Sequence, residues 1–362
     1  MKPIIPFALL GALLAVGAAT AATTTPVGYV TLDVPASGDT SVGQPLHRAP
    51  ALATAASGIA GDVVSVSTTL IAGQFEFAGS TQPNTYYLLV SSGPLAGRTY
   101  EIDVNSTNSI TVVAGATTLQ AQGFTTGTTF SVIPYWTLNT LLPGGQGVGV
   151  TTADIFDPVG LVQFRNPASN GVNKPAVKSF FYYGGAEEAG PGWYDNDDIG
   201  AGLQDNAILE PSVLATIRNL QATPKSATIV GEVPSVQVTS PIRRAAVPND
   251  NYLNVQFPID ISLAESGLSS VLTPATDIFD PIDILFVYNE AAAAFNKPAS
   301  KAYFYYGGAE EAGPGWYDND DVGAGLQDAN KVLKAGRAFV IRRAAGAAGT
   351  VHAVSPLPYS TL

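Results

Sequence analysis

The chain contains no cysteine, although it is 362 residues long. That absence excludes disulfide bonds, thiolate metal sites and a cysteine nucleophile. Histidine is nearly absent too, with only His47 and His352 in the whole sequence. Two histidines cannot form a histidine-rich metal site, and they count against a histidine-based catalytic triad. We therefore interpret both as surface or turn residues.

Charged side chains are also scarce, at 13% of the residues against 46% hydrophobic. This composition supports a packed core and argues against wholesale disorder. Acidic residues outnumber basic ones by 29 to 17, which gives a net charge of −12. Because nucleic acids and anionic lipids are themselves negative, an acidic chain is a poor partner for either. We expect no nucleic-acid partner.

What the sequence does contain is a long internal duplication. The stretch Phe181–Asp205 returns as Phe304–Asp328 with a single difference, Ile199 in the first copy and Val322 in the second. The offset of 123 residues holds without a gap from Asp154 and Asp277 onward. An identity of this length indicates duplication within the chain. Each copy carries six acidic residues, so the acidity is concentrated in two places.

The N-terminus has the pattern of a secretion signal over residues 1–21. Lys2 supplies the positive charge, Ile4–Ala19 the apolar core, and Ala19-Thr20-Ala21 the small residues of a cleavage site. The apolar run is shorter than the ~20 residues of a membrane span. An uncleaved anchor is the alternative. We expect an exported protein, in the periplasm, at the cell surface or outside the cell, with no transmembrane span after cleavage.

Short alternating strands separated by Gly, Ser, Asn and Pro turns predict an all-β fold. Residues 22–136 are predicted to form a small N-terminal β-barrel or sandwich domain. Two tandem copies of a duplicated β module follow, at 137–250 and 251–362. In this division Ile242–Ala246 (IRRAA) is the last strand of the first copy and corresponds to Ile341–Ala345. Short helices are expected only at residues 261–268 and 291–295.

Several segments resemble one family. In the first half these are TPVGYVTLDV at Thr25–Val34, PLHRA, LAGRTYEI and YWTLNTLL. In the second half they are NDNYLNVQFPIDISLAESGL, the ADIFDP and TDIFDP strands, FYYGG with a following GW, and AGRAFVIRR. They are similar to a set of secreted conserved-hypothetical proteins expanded as paralogues in Verrucomicrobia. The resemblance covers most of the mature chain and implies export. It brings no activity and no catalytic or binding residues. The acidic stretch is longer and more acidic than the family's loop, which suggests recent copying or a local function.

The acidic stretch is a candidate calcium site, because calcium prefers carboxylate and carbonyl oxygens on a glycine-turned loop. It only partly matches the helix-loop-helix calcium loop, since Ile199 and Asn206 stand where that loop needs ligands. The alternative is a set of solvated turns, because Asp and Asn bond their own backbone in turns. The candidate calcium ligands are Asp195, Asp197, Asp198 and Asp205 in the first copy, and Asp318, Asp320, Asp321 and Asp328 in the second.

Two further kinds of chemistry involve the same stretch. Glu187 with Asp195 or Asp197, and Glu310 in the second copy, are candidates for the carboxylate pair of a glycoside hydrolase. Trp193 and Trp316, with the neighbouring tyrosines, are candidates for stacking on sugar rings without catalysis. The alternative is that these aromatic side chains pack the core of each module, where they bury large areas.

The leading interpretation is an exported, non-catalytic structural or adhesive protein of the cell envelope or extracellular space, stiffened by calcium if the acidic loops bind it. The duplication, the low charge and the secretion signal support it. A secreted carbohydrate-binding protein is the alternative, and a glycoside-acting enzyme is the third. The expected partner is a glycan or an envelope protein. The basic pairs Arg243-Arg244 and Arg342-Arg343 are candidates for pairing with the acidic loops.

Overall fold

The computed structural model describes residues 25–79, 82–211 and 214–359. Within these ranges almost all regular structure is β, and the one α-helix, α1, is the four-residue segment Leu138–Leu141. The all-β prediction is confirmed. The predicted signal peptide lies outside the described residues. No helix in the described ranges has the length and apolar character that crossing a membrane requires.

Short 3₁₀ turns supply the remaining helical structure; one of them lies within the predicted helix at 261–268, and a second begins at its last residue. The segment 291–295, also predicted as a helix, forms turns and bends instead. The 3₁₀ turns span Pro143–Gly145, Ile199–Ala201, Ala264–Ser266, Leu268–Ser270 and Val322–Ala324.

Six of the first eight strands close into a barrel in the order β3-β4-β7-β6-β5-β8, with every neighbouring pair antiparallel. Its interior is a separate apolar core that includes Leu88, Ile110 and Val132. The predicted barrel is therefore present. The eight strands are β1 (Val27–Val34), β2 (Gly38–Val42), β3 (Leu52–Ala60), β4 (Val63–Val66), β5 (Tyr86–Val90), β6 (Thr99–Asn105), β7 (Ser109–Val113) and β8 (Thr129–Pro134).

The next eight strands form a module together with β1 and β2. Its main sheet has the order β10-β12-β11-β15-β2, with β13 also paired to β12, and β1 pairs with β16 over its whole length. We call β1, β2 and β9–β16 module one. The strands are β9 (Trp136–Thr137), β10 (Val150–Thr151), β11 (Gly160–Arg165), β12 (Ala176–Tyr183), β13 (Gly192–Asp195), β14 (Ile208–Leu209), β15 (Ala215–Asn219) and β16 (Lys225–Glu232).

The last seven strands form module two. Its sheet has the order β18-β22-β19-β20-β21, and β17 pairs with β23. The counterparts in module one are β1, β2, β11, β12, β13, β15 and β16, in that order. The strands are β17 (Val238–Arg244), β18 (Asn249–Asn254), β19 (Ile284–Val287), β20 (Lys301–Tyr306), β21 (Gly315–Asp318), β22 (Ala338–Arg343) and β23 (Gly349–Ser355).

This pairing divides the chain differently from the predicted boundaries. The predicted domain at 22–136 includes β1 and β2, which pair instead with β16 and β15, so the barrel is an insertion within module one. The predicted boundary after residue 250 falls inside β18. Alternation along a strand reveals which residues share a face, but it does not reveal the partner strand.

The IRRAA correspondence is also wrong. Ile242 lies in β17, the first strand of module two, whereas the counterpart of β22 is β15. Val162 pairs with Ile217, and its counterpart Leu285 pairs with Ile341. The offset is 123 residues for the first member of these pairs and 124 for the second. One extra residue after the acidic stretch therefore hides the match between β15 and β22.

Candidate functional site at the module interface

The structure uses the first aspartate of each acidic loop for folding. Asp195 is buried, lies 3.6 Å from Lys178 Nζ on the neighbouring strand, and accepts a hydrogen bond from the Asp197 N–H. Asp318 repeats this arrangement, 2.6 Å from Lys301 Nζ, and accepts from the Asp320 N–H. The hydrogen bond to Asp318 raises the pKa of Lys301. These contacts are those of an aspartate turn beside an ion pair.

The other aspartates of the loops are not brought to one point. Asp205 accepts from the Trp193 N–H at 3.0 Å, and Asp328 accepts from the Trp316 N–H at 3.2 Å. Asp197, Asp198, Asp320 and Asp321 are exposed. Across the described ranges, no group of three or more histidine, aspartate or glutamate side chains is arranged to hold a metal ion. The calcium hypothesis stays a prediction, and the geometry of the eight aspartates does not favour it.

The aromatic residues of the repeats pack the cores of the modules. Trp193 and Trp316 have no exposed surface, and Tyr182 meets Trp193 edge-on with 5.6 Å between ring centroids. These tryptophans are therefore not available for stacking on a sugar. Glu187 is exposed. Of its two candidate catalytic partners, Asp195 is held by Lys178, and Asp197 is exposed.

The basic pairs do not bind the acidic loops. Arg343 forms an ion pair with Asp283 at 2.8 Å, and both side chains are buried. Arg342 forms an ion pair with Asp250, also at 2.8 Å. Arg243 donates instead to the Pro167 carbonyl oxygen of module one. Two of these four arginines, Arg342 and Arg243, therefore take part in contacts between the modules.

Module one holds a loop of module two with an aspartate–arginine pair. Arg218 binds the Asp39 carboxylate through two nitrogens, each at 2.8 Å. The same carboxylate accepts from the Asn296 N–H at 2.7 Å, and Arg218 donates to Asn296 Oδ1 at 2.8 Å. The Asp39 N–H donates to the Ala294 carbonyl oxygen. The loop is therefore bound through both its backbone and its asparagine side chain.

Module two holds module one in the same way. Arg342 binds Asp250, which accepts from the Asn173 N–H at 2.7 Å, and Arg342 also donates to Asn173 Oδ1 at 3.2 Å. The Asp250 N–H donates to the Gly171 carbonyl oxygen. We call these two equivalent sets of contacts the reciprocal clasp. Both asparagines have a positive φ, 50° for Asn173 and 49° for Asn296, a conformation that asparagine tolerates better than most residues.

A cavity of about 510 Å³ lies between the modules, beside the reciprocal clasp. Its volume falls within the roughly 300–1,000 Å³ usual for small-molecule sites, which often form where domains meet. The wall carries more positive than negative charge, although the chain as a whole is acidic. Its cationic side chains are Arg165, Lys174, Arg218 and Lys297, and its carboxylates are Asp39 and Glu290.

At one end of the cavity, the Glu290 end, every charged group has a partner. The Glu290 carboxylate accepts from the Ser41 N–H at 3.0 Å and from the Ser41 hydroxyl. Lys297 Nζ donates to three backbone carbonyl oxygens, those of Asn289, Glu290 and Ala292. Burial lowers the pKa of Lys297, and the negative charge of Glu290 opposes that effect. At this end of the cavity, the protein's own groups therefore supply the partners of Glu290 and Lys297.

The opposite end, the Lys174 end, is built from equivalent positions but is not closed in this way. Lys174 is 6% exposed, and its ammonium makes no hydrogen bond or ion pair with any residue that the structure describes. Burial lowers its pKa, Arg243 adds to the lowering, and Asp250 opposes it. Arg165 donates to the Lys174 carbonyl oxygen and to Thr216 Oγ1, and its guanidinium lies 4.9 Å from the centre of the Tyr252 ring.

Sequence reasoning missed every residue of this cavity, because its wall combines strands and loops far apart in the chain. One signal was available. Asn-Lys-Pro occurs twice, at 173–175 and 296–298, within the region of constant offset. Comparison of the chain with protein-family models, with curated proteins and with solved structures finds no match.

Proposed function

We propose that the chain is an exported, non-catalytic structural protein of the cell envelope or extracellular space, in which the two modules act as one rigid unit. The reciprocal clasp carries this proposal. Each module supplies an aspartate–arginine pair and receives an asparagine, so relative motion of the modules breaks both sets of bonds. Charged pairs that are partly removed from water resist such separation more than exposed pairs do.

The use of the repeated residues supports the same proposal. The aromatic side chains of both copies fill the module cores, and the buried aspartates bind neighbouring lysines and backbone N–H groups. The tryptophans needed for sugar stacking, and Asp195, one candidate member of a catalytic pair, therefore stabilise the fold. Duplication of such a module doubles a framework, which suits a structural role.

The surface that meets an envelope partner is not defined by the clasp, but the repeats offer a candidate. Phe156 and Phe279 occupy equivalent positions and are 74% and 78% exposed. The Asp154 and Asp277 carboxylates each accept a backbone N–H from the neighbouring phenylalanine, which fixes both turns in the same shape. Two identical apolar side chains held on identical turns suit a repeated contact with a glycan or an envelope protein.

The test combines cell fractionation with binding. The full chain is produced in a bacterial host, its N-terminus is determined by mass spectrometry, and the mature protein is incubated with isolated cell envelopes. We expect a mature N-terminus near Ala22 or Thr23 and retention on the envelope that falls in a Phe156→Ser, Phe279→Ser double variant. A matched control is Tyr29→Ser, which removes another exposed aromatic side chain.

Two outcomes would overturn the proposal. Recovery of the protein in the cytoplasm with Met1 still present would show that it is not exported. Turnover of a glycan panel by the purified protein, lost in Glu187→Gln, Glu310→Gln, would make it an enzyme instead.

A further inference from the structure

The two ends of the cavity provide an internal comparison, because duplication placed equivalent residues at each. Glu290 in module two corresponds to Pro167 in module one at the constant offset of 123 residues. Ser41 corresponds to Tyr252, since β2 and β18 pair with β15 and β22 in equivalent registers. The Lys174 end therefore lacks the carboxylate that closes the Glu290 end.

The backbone donor that serves this carboxylate is retained. Alternate residues of a strand present their N–H groups to the same side. The Asp250 N–H donates to Gly171 of module one, so the Tyr252 N–H also points toward module one. Its counterpart, the Ser41 N–H, binds Glu290. At the Lys174 end, Pro167 has no acceptor side chain to offer in that place.

The lysines at the two ends differ for a related reason. Lys297 is saturated by three carbonyl oxygens, one of which belongs to Glu290. The corresponding oxygen in module one is that of Pro167, and it accepts from Arg243 instead. Arg243 therefore takes a bond that the lysine makes at the other end. Lys174 is left as a mostly buried lysine that lines the cavity without a partner among the described residues.

We propose that the Lys174 end of the cavity binds a small, hydroxylated carboxylate of the sugar-acid class, whose carboxylate takes the place that the Glu290 side chain takes at the other end. The carboxylate accepts from the Tyr252 N–H and lies beside the Lys174 ammonium and the Arg165 guanidinium. Arg165 has one nitrogen, Nη2, that donates to no described residue and is free for this contact.

The rest of the wall fits the remainder of such a ligand. Gln163, Thr216 and Tyr288 line the cavity and offer amide and hydroxyl groups to ligand hydroxyls. The volume of about 510 Å³ leaves space for a single sugar ring. The ammonium of a mostly buried lysine loses part of its hydration, and an anionic ligand offsets that loss by supplying the opposite charge.

The test is isothermal titration of the full mature chain with D-glucuronate, D-glucose, acetate and inorganic phosphate. We expect saturable 1:1 binding of glucuronate, weaker binding of acetate and none of glucose. Lys174→Gln is expected to weaken glucuronate binding roughly tenfold or more, because a hydrogen bond to a charged group is lost. Lys178→Gln is the matched control, since it removes an exposed lysine away from the cavity, and it leaves the affinity unchanged.

A second variant tests the internal comparison directly. Pro167→Glu places at the Lys174 end the acid that Glu290 supplies at the other, so the side chain itself occupies the site. We expect this variant to stay folded, with an unchanged circular dichroism spectrum, and to lose glucuronate binding.

Three results would overturn the proposal: equal binding of glucose and glucuronate, an unchanged affinity in Lys174→Gln, or no saturable binding of any carboxylate by the folded protein. Tighter binding of phosphate than of every carboxylate would refute the ligand class.

Discussion

Lys174 combines a full positive charge with nearly complete burial, and its charge has no direct partner among the described residues. The chain keeps such a residue at a cost in stability, because burial disfavours the charged form. We expect Lys174→Met to raise the free energy of unfolding by about 1 kcal/mol in the absence of ligand, since an apolar side chain of similar length fills the same space. Urea denaturation at pH 7 measures the change.

The pH dependence of that effect has a definite sign. The pKa of Lys174 is lowered in the folded state, so between the lowered pKa and about 10.5 the unfolded chain binds more protons. The wild-type protein therefore gains stability as the pH rises through this window, and the gain is absent in Lys174→Met. Lys331→Met, which removes an exposed lysine outside the cavity, is the control. A variant less stable than the wild type would show that the lysine stabilises the fold.

His47 is a second residue whose pKa is lowered by burial. Burial lowers its pKa to about 4, and its ring meets the Tyr87 ring edge-on. Between about pH 6.5 and 4 the unfolded chain then binds the extra proton, so stability falls as the pH falls through this window. We expect this loss to be smaller in His47→Asn. Thermal unfolding at pH 7, 5.5 and 4.5 measures it, and equal slopes in both proteins would contradict the expectation.

In each acidic loop, a buried carboxylate is already used by the fold. The buried carboxylates of Asp195 and Asp318 already accept backbone N–H groups and face lysines, and a cation must displace those contacts to bind them. We expect millimolar calcium, added after EDTA, to leave the Tm of the mature protein unchanged. A site present only in the folded state has to raise the Tm by mass action. A rise abolished by replacing Asp195, Asp197, Asp318 and Asp320 with Asn would establish the calcium sites instead.

The reciprocal clasp joins the modules through two equivalent aspartate–arginine pairs. In Asp39→Ala, Arg218 loses its carboxylate, and the Asn296 N–H loses its acceptor. Removing one partner of a mostly buried pair costs about 2–3 kcal/mol when some water can enter. We expect a loss of this size in Asp39→Ala and a similar loss in Asp250→Ala. The control is Asp260→Ala, which breaks the exposed pair with Lys334 and costs about 0–1 kcal/mol. Equal losses in all three variants would show that the clasp contributes no more to stability than an exposed ion pair does.

The elements themselves were largely predictable from sequence. Tyr86–Val90 and the aromatic strands Ala176–Tyr183 and Lys301–Tyr306 have the residues and turns of strands, and they are strands. Their partners were not predictable in the same way. β1 pairs with residues about 200 positions later, and nothing in its own alternation specifies that partner. The duplication linked β12 to β20, but one extra residue in module two, between its acidic stretch and β22, concealed the match between β15 and β22.

The candidate site was less predictable than the strands. The acidic stretch has an unusual composition, whereas Lys174 and Tyr252 are ordinary residues in segments of ordinary composition. Their importance depends on the packing of one module against the other. A cavity formed by two units has no local pattern in sequence, and only the repeated Asn-Lys-Pro pointed to it.

The barrel is inserted within module one, and the two ends of the inserted segment lie close together. Trp136 Nε1 donates to the Leu46 carbonyl oxygen at 2.9 Å, and His47 pairs with Glu232 of β16. We expect a chain with residues 49–135 replaced by a short glycine-serine linker to keep both modules folded, with a single cooperative thermal transition. Calorimetry measures this.

The excision is expected to lower the Tm, because the barrel contacts both the chain between the modules and β17, the first strand of module two. Ala96 accepts from Gln237 and Thr239, and Val236 packs on Tyr87 and Tyr135. Intact glucuronate affinity, if the ligand binds as proposed, is the second readout. Loss of the cooperative transition would mean that module one depends on the barrel to fold.

The contacts between the modules have the form of the interface in a homodimer, where each subunit offers the same group and receives the same group in return. In a true homodimer both ends of such an interface are identical, because one sequence supplies them. Joining the two copies in one chain removes that constraint. Pro167 and Glu290 were then free to differ, so one end is closed by its own acid while the other is open. The fused pair holds an asymmetry that no dimer of a single module could hold.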